Sequence, residues 1–354
     1  MGKCEPPHPA PRELAMNLLR FICVVLVLVL FGCRGSQPRV VLYCAQDHEF
    51  ADDILKEFTR QTELAVAPKY DTEANKSVSL YFEIVHEKDR PRCDVFWNNE
   101  ILSTIRLQKQ GLLVPYASAP DKPYPCAADN TWHAFAARAR VLIVNTNLVP
   151  EAERPRGLLE LTEPRWRGLV TMAKPQYGTS ATQAACLFQV LGRERAEAFY
   201  RGLKANGVHI SPGNKQAAEW VGQGRTAGGQ PVAVGLTDTD DAMEEIKAGR
   251  PVAIVFPDQQ GIGTLYIPNS VAIVKGGPNP EGARKLVDYL LEGDIEAALE
   301  KSGWHFPLRN GPDAMRAPTQ ELEGGKRRMD VDFEKAAELW EEAQVFLTNE
   351  FARP

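Results

Sequence analysis

Four polar clusters stand where apolar runs end: Gln46-Asp47-His48-Glu49, Trp97-Asn98-Asn99-Glu100, Gly178-Thr179-Ser180 and Thr237-Asp238-Thr239-Asp240-Asp241. Carboxylates brought together repel one another, and a bound cation relieves that repulsion. Asp47, Glu100, Asp238 and Asp240 are therefore candidate metal ligands, as hard oxygen donors of the kind that suit Fe³⁺, Mn²⁺ or Ca²⁺. Thr179 and Ser180 offer different chemistry, because free N–H groups at a helix start attract anions. Trp97, and Trp132 with it, could meet an organic cation through the ring face, while core packing remains open for both. Taken singly, Asp47, Thr179 and Asp238 also read as helix N-caps. Their joint placement at strand ends is what favours a binding role.

The elements that must position these groups alternate along the chain. Val40–Cys44 is a short apolar run rich in β-formers, followed by Glu49–Thr62 with Phe50, Ile54, Leu55 and Phe58 on one helical face. Strands are expected at 64–66, 94–97, 141–144, 168–172, 231–236, 252–256 and 270–274. Helices are expected after Ile101, after Ser180, after Asp241, over 280–291 and over 333–351. This pattern predicts an α/β architecture with mostly parallel sheets, in which ligands sit beyond the carboxyl ends of strands. Proline and glycine gather at 117–125, 150–157 and 307–325, marking surface connections, and no internal repeat is found.

Composition bounds the class. The chain has 354 residues, 44% hydrophobic and 25% charged, with net charge −5, which suits two ordinary globular domains and speaks against a nucleic-acid partner. The first 32 residues read as an address label. Met16 looks the natural start, Arg20 supplies the positive region, and Phe21–Phe31 is an apolar run too short to span a bilayer. Leu30-Phe31-Gly32-Cys33 resembles a bacterial lipoprotein cleavage box, which would make Cys33 the lipidated first residue of an extracytoplasmic protein. Cys44, Cys93, Cys126 and Cys186 would then face an oxidising compartment, with no pairing fixed by their spacing.

The run VVLYCAQDHEFADDILKEFTRQT, then CDVFWNNE, RARVLIVNTN and GTLYIPNSVAIVKGGPNPEGARKLVDYLL, ending in SGWHFPLRNG, is similar to a bacterial extracytoplasmic solute-binding protein. It most resembles the ferric-ion-binding branch that serves ABC importers. The resemblance implies a two-lobed periplasmic-binding-protein fold of type II, with a ligand cleft between lobes joined by crossing strands. Lobe one would be residues 38–140 plus 256–354 and lobe two 141–255, behind a tether at 33–37. Crossings would fall near Arg138–Leu142 and Ala253–Phe256. It also implies a binding role for Asp47 or His48 after the first strand and for Asn99 and Glu100 after the third. Gly178, Thr179 and Ser180, with Asn214, match the family's anion position. Asp238-Thr239-Asp240 stands where ferric binders carry adjacent tyrosines.

The resemblance thus implies a monomer that hands its solute to a permease and ATPase. A metal ion, ferric iron first, is the leading cargo, then a polyamine, then a phosphorylated or phosphonate solute. Enzyme readings find little support: there is no G-x-S-x-G elbow, H-E-x-x-H helix, P-loop or strand-linked G-x-G-x-x-G. A lipid-anchored hydrolase is the rival class. It would turn a substrate over where an importer component would only hold it.

Overall fold

The computed structural model describes Gly2 and residues 39–71, 78–118, 124–303, 305–308 and 326–351. The leader, Cys33 and the tether lie outside the described residues, as does most of the 307–325 connection. The strands are β1 (Arg39–Cys44), β2 (Ala65–Tyr70), β3 (Val95–Asn98), β4 (Leu113–Val114), β5 (His133–Asn145), β6 (Val170–Ala173), β7 (His209–Ser211), β8 (Val234–Asp238), β9 (Val252–Val255) and β10 (Tyr266–Val274). The first six helices are α1 (His48–Thr62), α2 (Val78–His86), α3 (Ile101–Lys109), α4 (Gly178–Leu191), α5 (Arg193–Ala205) and α6 (Asn214–Gln223). They are followed by α7 (Thr239–Lys247), α8 (Pro280–Leu290), α9 (Gly293–Gly303), α10 (Phe333–Glu338) and α11 (Trp340–Phe351).

The strands run in the order β2-β1-β3-β10-β5-β8-β6-β7, with β4 on β10 and β9 on β5. Each flank is parallel, β1 with β2 and β3, and β6 with β7 and β8. The middle is antiparallel, because β10 and β5 run against their neighbours. The expectation of mostly parallel sheets therefore holds at the flanks and fails at the join. β5 is the element that makes one molecule of two halves. Its residues 133–139 pair with β10, and its residues 140–145 pair with β8 and β9. A bulge at Pro268/Asn269 of β10 faces Ala136, whose φ is +46°, and such an extra residue bends the strand before it crosses.

Local sequence explains the elements that border the join. α1 buries Ala51, Ile54, Leu55 and Phe58 on one face and stops at Glu63, which takes the left-handed conformation. Each large apolar side chain so buried contributes about 1.5–3 kcal/mol. α4 is built from small residues and is buried from Gly178 to Phe188, which lets it sit deep beside the sheet. α8 opens on Pro280, with the Asn279 side chain accepting from the Gly282 N–H. The expected single helix over 333–351 is instead two, α10 and α11, separated at Leu339. α10 packs on both α3 and α4, and α11 packs on α4. Trp340 lies over the Arg106 guanidinium at 4.8 Å, and Tyr81 flanks that group at 4.2 Å. Cys44, Cys93, Cys126 and Cys186 are free thiols.

Candidate functional site

The site forms where β5 leaves one half-sheet for the other. Arg138 and Arg140 stand two residues apart on this strand, so both side chains leave the same face. Arg140 pairs directly with Asp238 across the β5–β8 ladder. Its Nη1 donates to Asp238 Oδ1 at 2.8 Å, to Asn214 Oδ1 at 3.1 Å and to Thr179 Oγ1 at 3.2 Å. Its Nε donates to Gln183 Oε1 at 3.1 Å and its Nη2 to Ser180 Oγ at 3.3 Å. Thr179 Oγ1 in turn donates to Asp238 Oδ2 at 2.6 Å, and Asn214 Nδ2 donates to the same oxygen at 3.2 Å.

Arg138 joins the two halves of the sheet. Its Nη1 donates to Asp240 Oδ2 at 2.8 Å, and its Nη2 donates to the Asn99 carbonyl at 2.9 Å. All four charged side chains are buried. Burial alone would raise the Asp238 pKa, but the charges of Arg140 and Arg138 outweigh it and hold the carboxyl below its ordinary value. Burial likewise would lower that of Arg138, and the carboxylates of Asp240 and Asp238 reverse it. Sequence reasoning missed both arginines. The signal was an Arg-x-Arg at strand period facing an Asp-x-Asp.

One carboxylate oxygen from each of Asp238, Asp240 and Asp241 lies within 4.8 Å of the others, the one such grouping among the described residues. Asp240 Oδ1 has no hydrogen-bond partner among the described residues. Beside the group lies a cavity of about 20 Å³, room for one water, walled by Asn99, Arg138, Lys174, Asp241 and the starts of α4 and α6. Neither helix start is capped by a side chain, since Tyr177 and Gly213 hold the cap positions. Thr179 is therefore not the cap but a first-turn residue. Asp238 does stand at the cap position of α7, yet its side chain makes no capping bond and serves Arg140, Thr179 and Asn214 instead.

The other expected residues are placed as follows. Asp47 is half-buried at the start of α1 on the facing half. His48 is exposed and turns to Asp52, 3.2 Å away, and to the Tyr70 ring. Glu100 is fully buried and accepts from the N–H groups of Leu102 and Ser103, from Asn98 Nδ2 and from Thr182 Oγ1 of α4. It thus caps α3 and fastens it to α4. Trp97 is enclosed against Phe135 at 5.7 Å, and Trp132 donates its indole N–H to Gln108. On the outer rim Lys215 of α6 bridges Glu49 of α1 at 3.2 Å and Glu244 of α7 at 3.1 Å.

Two half-sheets sharing a through-strand, with polar strand ends and helix starts beside it, give the chain the two-lobed α/β fold of the periplasmic binding proteins. The chain belongs to the bacterial extracellular solute-binding protein family, which it matches over residues 98–338. It is similar to iron uptake protein A1 of Synechocystis sp., with 26% identity over 287 residues, 78% of each chain. It is similar also to the major ferric iron-binding protein of Neisseria meningitidis, with 24% identity over 293 residues, 80% of this chain and 85% of the relative. In fold it matches the iron-bound HitA structure from Pseudomonas aeruginosa with a TM-score of 0.75 at 23% identity, covering 89% of this chain and 99% of that one.

Proposed function

We propose that the protein is the solute-capturing component of an ABC importer, held outside the cytoplasmic membrane by lipid on Cys33 and working as a monomer. It takes a metal ion, ferric iron first, between its lobes and hands it to a permease driven by an ATPase. It binds its solute without turning it over. The nearness of the Asp240 and Asp241 carboxylates, beside an Asp238 held by its own donors, carries this reading, and the iron-binding relatives support it. Asp240 and Asp241 would meet the ion from one lobe and Asp47 from the other. Glu100 and Asp238, whose oxygens already serve internal donors, would hold the walls in place. The lobes would be residues 38–140 with 256–354, and 141–255, with α10 lying against both because it packs on α3 and on α4.

Native mass spectrometry of protein purified from its host, with and without chelator, tests the cargo. A chelator-sensitive metal adduct is expected. An unchanged mass, with no calorimetric binding of Fe³⁺ presented as its nitrilotriacetate complex, would refute it. Replacing Cys33 with Ala should move the protein from the detergent phase to the aqueous phase. A phosphorylated or phosphonate solute is the second reading. It is favoured by the two uncapped helix starts that face one cavity together with Lys174 and Arg138.

A further inference from the structure

The carboxyl ends of β1 and β3 lead to the site, so their amino ends form the opposite end of this half-sheet, together with the carboxyl end of the antiparallel β10. Asp94, the residue before β3, ties that end together. Its Oδ2 accepts from the Val41 N–H at 2.8 Å and its Oδ1 from the Asn279 N–H at 2.5 Å. The Val274 N–H donates to its carbonyl, and Asn279 Nδ2 donates to the Arg39 carbonyl at 3.1 Å. Gly276 lies so close to Pro91 that an added Cβ would stand 3.2 Å from the proline ring. The start of β1, the 88–93 turn and the 275–279 turn therefore share one surface.

That surface is basic, in a chain whose net charge is −5. Arg39, Lys88, Arg90, Arg92 and Lys275 are all exposed on it, and Arg284 and Lys285 follow in the second turn of α8. Arg39, Lys88, Arg90, Lys275 and Lys285 have no ion-pair partner among the described residues, and Arg92 only approaches Glu87, at 3.9 Å. The acids there are fewer: Glu63, Asp89 and Glu281 are exposed, and Glu87 accepts from the Tyr43 hydroxyl. Arg60 and Glu57, at the end of α1, pair with each other. Basic groups left without partners repel one another, and an anionic surface relieves that repulsion.

The chain says which surface. Between Cys33 and Arg39 stand only Arg34, Gly35, Ser36, Gln37 and Pro38, one more basic residue and no acid. Fully extended, those steps reach about 20 Å. The six residues of β1 then carry the chain about 20 Å further before it meets the cleft. The basic end is thus the part of the molecule nearest to a lipid on Cys33.

We infer that this basic end lies on the anionic headgroups of the membrane that holds the anchor. The inference rests on the lipid-anchor reading of Cys33 and adds how the molecule stands, with its cleft turned away from the bilayer towards arriving solute. The contact is electrostatic and is screened within about 8 Å at physiological salt, so it can be given up when the molecule turns to a permease.

The lipidated protein, as exported by its host, tests this in two kinds of vesicle: phosphatidylglycerol with phosphatidylethanolamine, and phosphatidylcholine alone. Brief acetylation followed by mass spectrometry reads each lysine. Lys88, Lys275 and Lys285 should react at least threefold more slowly on the anionic vesicles, while Lys174 and Lys215 beside the cleft react equally on both. Salt at about 1 M, which shortens the screening length to ~3 Å, should abolish the difference without releasing the protein. Arg90→Glu combined with Lys275→Glu should remove the protection of Lys88 and Lys285 and leave the melting temperature unchanged. Equal rates on the two vesicles, or protection that extends to Lys174 and Lys215, would overturn the inference and leave the anchor standing. Protein that stays in the aqueous phase beside both vesicles would overturn the two together.

Discussion

Replacing Asp238 with Asn tests whether the buried charges at the join are structural. The carboxylate is enclosed, and both of its oxygens are acceptors, Oδ1 for Arg140 and Oδ2 for Thr179 and Asn214. An amide keeps one acceptor and turns the other into a donor, which must then face Arg140 or the Thr179–Asn214 pair. It also strips the counter-charge from a guanidinium buried on β5. Breaking a buried ion pair from one side costs about 3–5 kcal/mol. Asp238→Asn should therefore lower the unfolding free energy in urea by about that amount at pH 7. The sequence alone suggests little cost, because Asn also serves as a helix cap; the structure reverses that expectation, since the side chain caps nothing.

The pH dependence has a definite sign. The folded-state pKa of Asp238 is depressed, so its contribution is full above the unfolded value of about 4 and is lost as pH falls through the folded one. The gap between parent and variant should then narrow in acid. Removing Arg140 as well, with Arg140→Met, should recover more than about 1 kcal/mol relative to the sum of the two single changes. A loss under about 1 kcal/mol for Asp238→Asn, or strict additivity in the double variant, would refute the ion-pair argument.

Three further outcomes are expected. Thr182→Val should cost about 1–3 kcal/mol, because it removes a buried hydroxyl from the Glu100 carboxylate, and a double-mutant cycle with Glu100→Gln should show coupling; independence would mean that this bond does not fasten α3 to α4. Burial pushes the His305 pKa down to about 4 from 6.5, so the neutral ring stabilises the fold fully above the unfolded pKa and loses that contribution as pH falls from there towards 4. His305→Gln should flatten the stability profile across that window by roughly 3 kcal/mol, and an unchanged profile would show that the ring is not held neutral. Small-angle scattering should give a smaller radius of gyration with bound solute than without, and no change at saturation would count against lobe closure.

Much of the fold was legible because its outer parts obey simple periodicities. The β1–α1 unit declares itself through Val40–Cys44 and the Ile54-Leu55-Phe58 face, and Gly111 marks the end of the α3 region. The join was not. Only Val141–Val144 of β5 reads as a strand, because Arg138 and Arg140 interrupt the apolar pattern that identifies buried strands. Their burial depends on Asp238 and Asp240, about a hundred residues away in the chain, and that pairing has no local signature. The clusters at strand ends were legible as polar groups on one edge, but how their atoms are spent was not. Glu100 and Asp238 look like available carboxylates in the sequence, and in the fold each is saturated by neighbours. The break between α10 and α11 escaped for a similar reason: Trp340 is placed by Arg106, a partner from α3.

The position of β10 also governs the order in which the molecule can assemble. β3 and β5 are never neighbours; residues 266–274 must slip between them before either gains its partner on that side. A chain emerging from its amino end therefore holds two open strand edges while more than a hundred further residues are still to come. Bringing such distant segments together is slow, since loop-closure entropy is lost before the contacts repay it. Exposed edges meanwhile invite pairing with other chains. The central sheet is thus complete only once β10, from the carboxyl-terminal third of the chain, has paired with both β3 and β5.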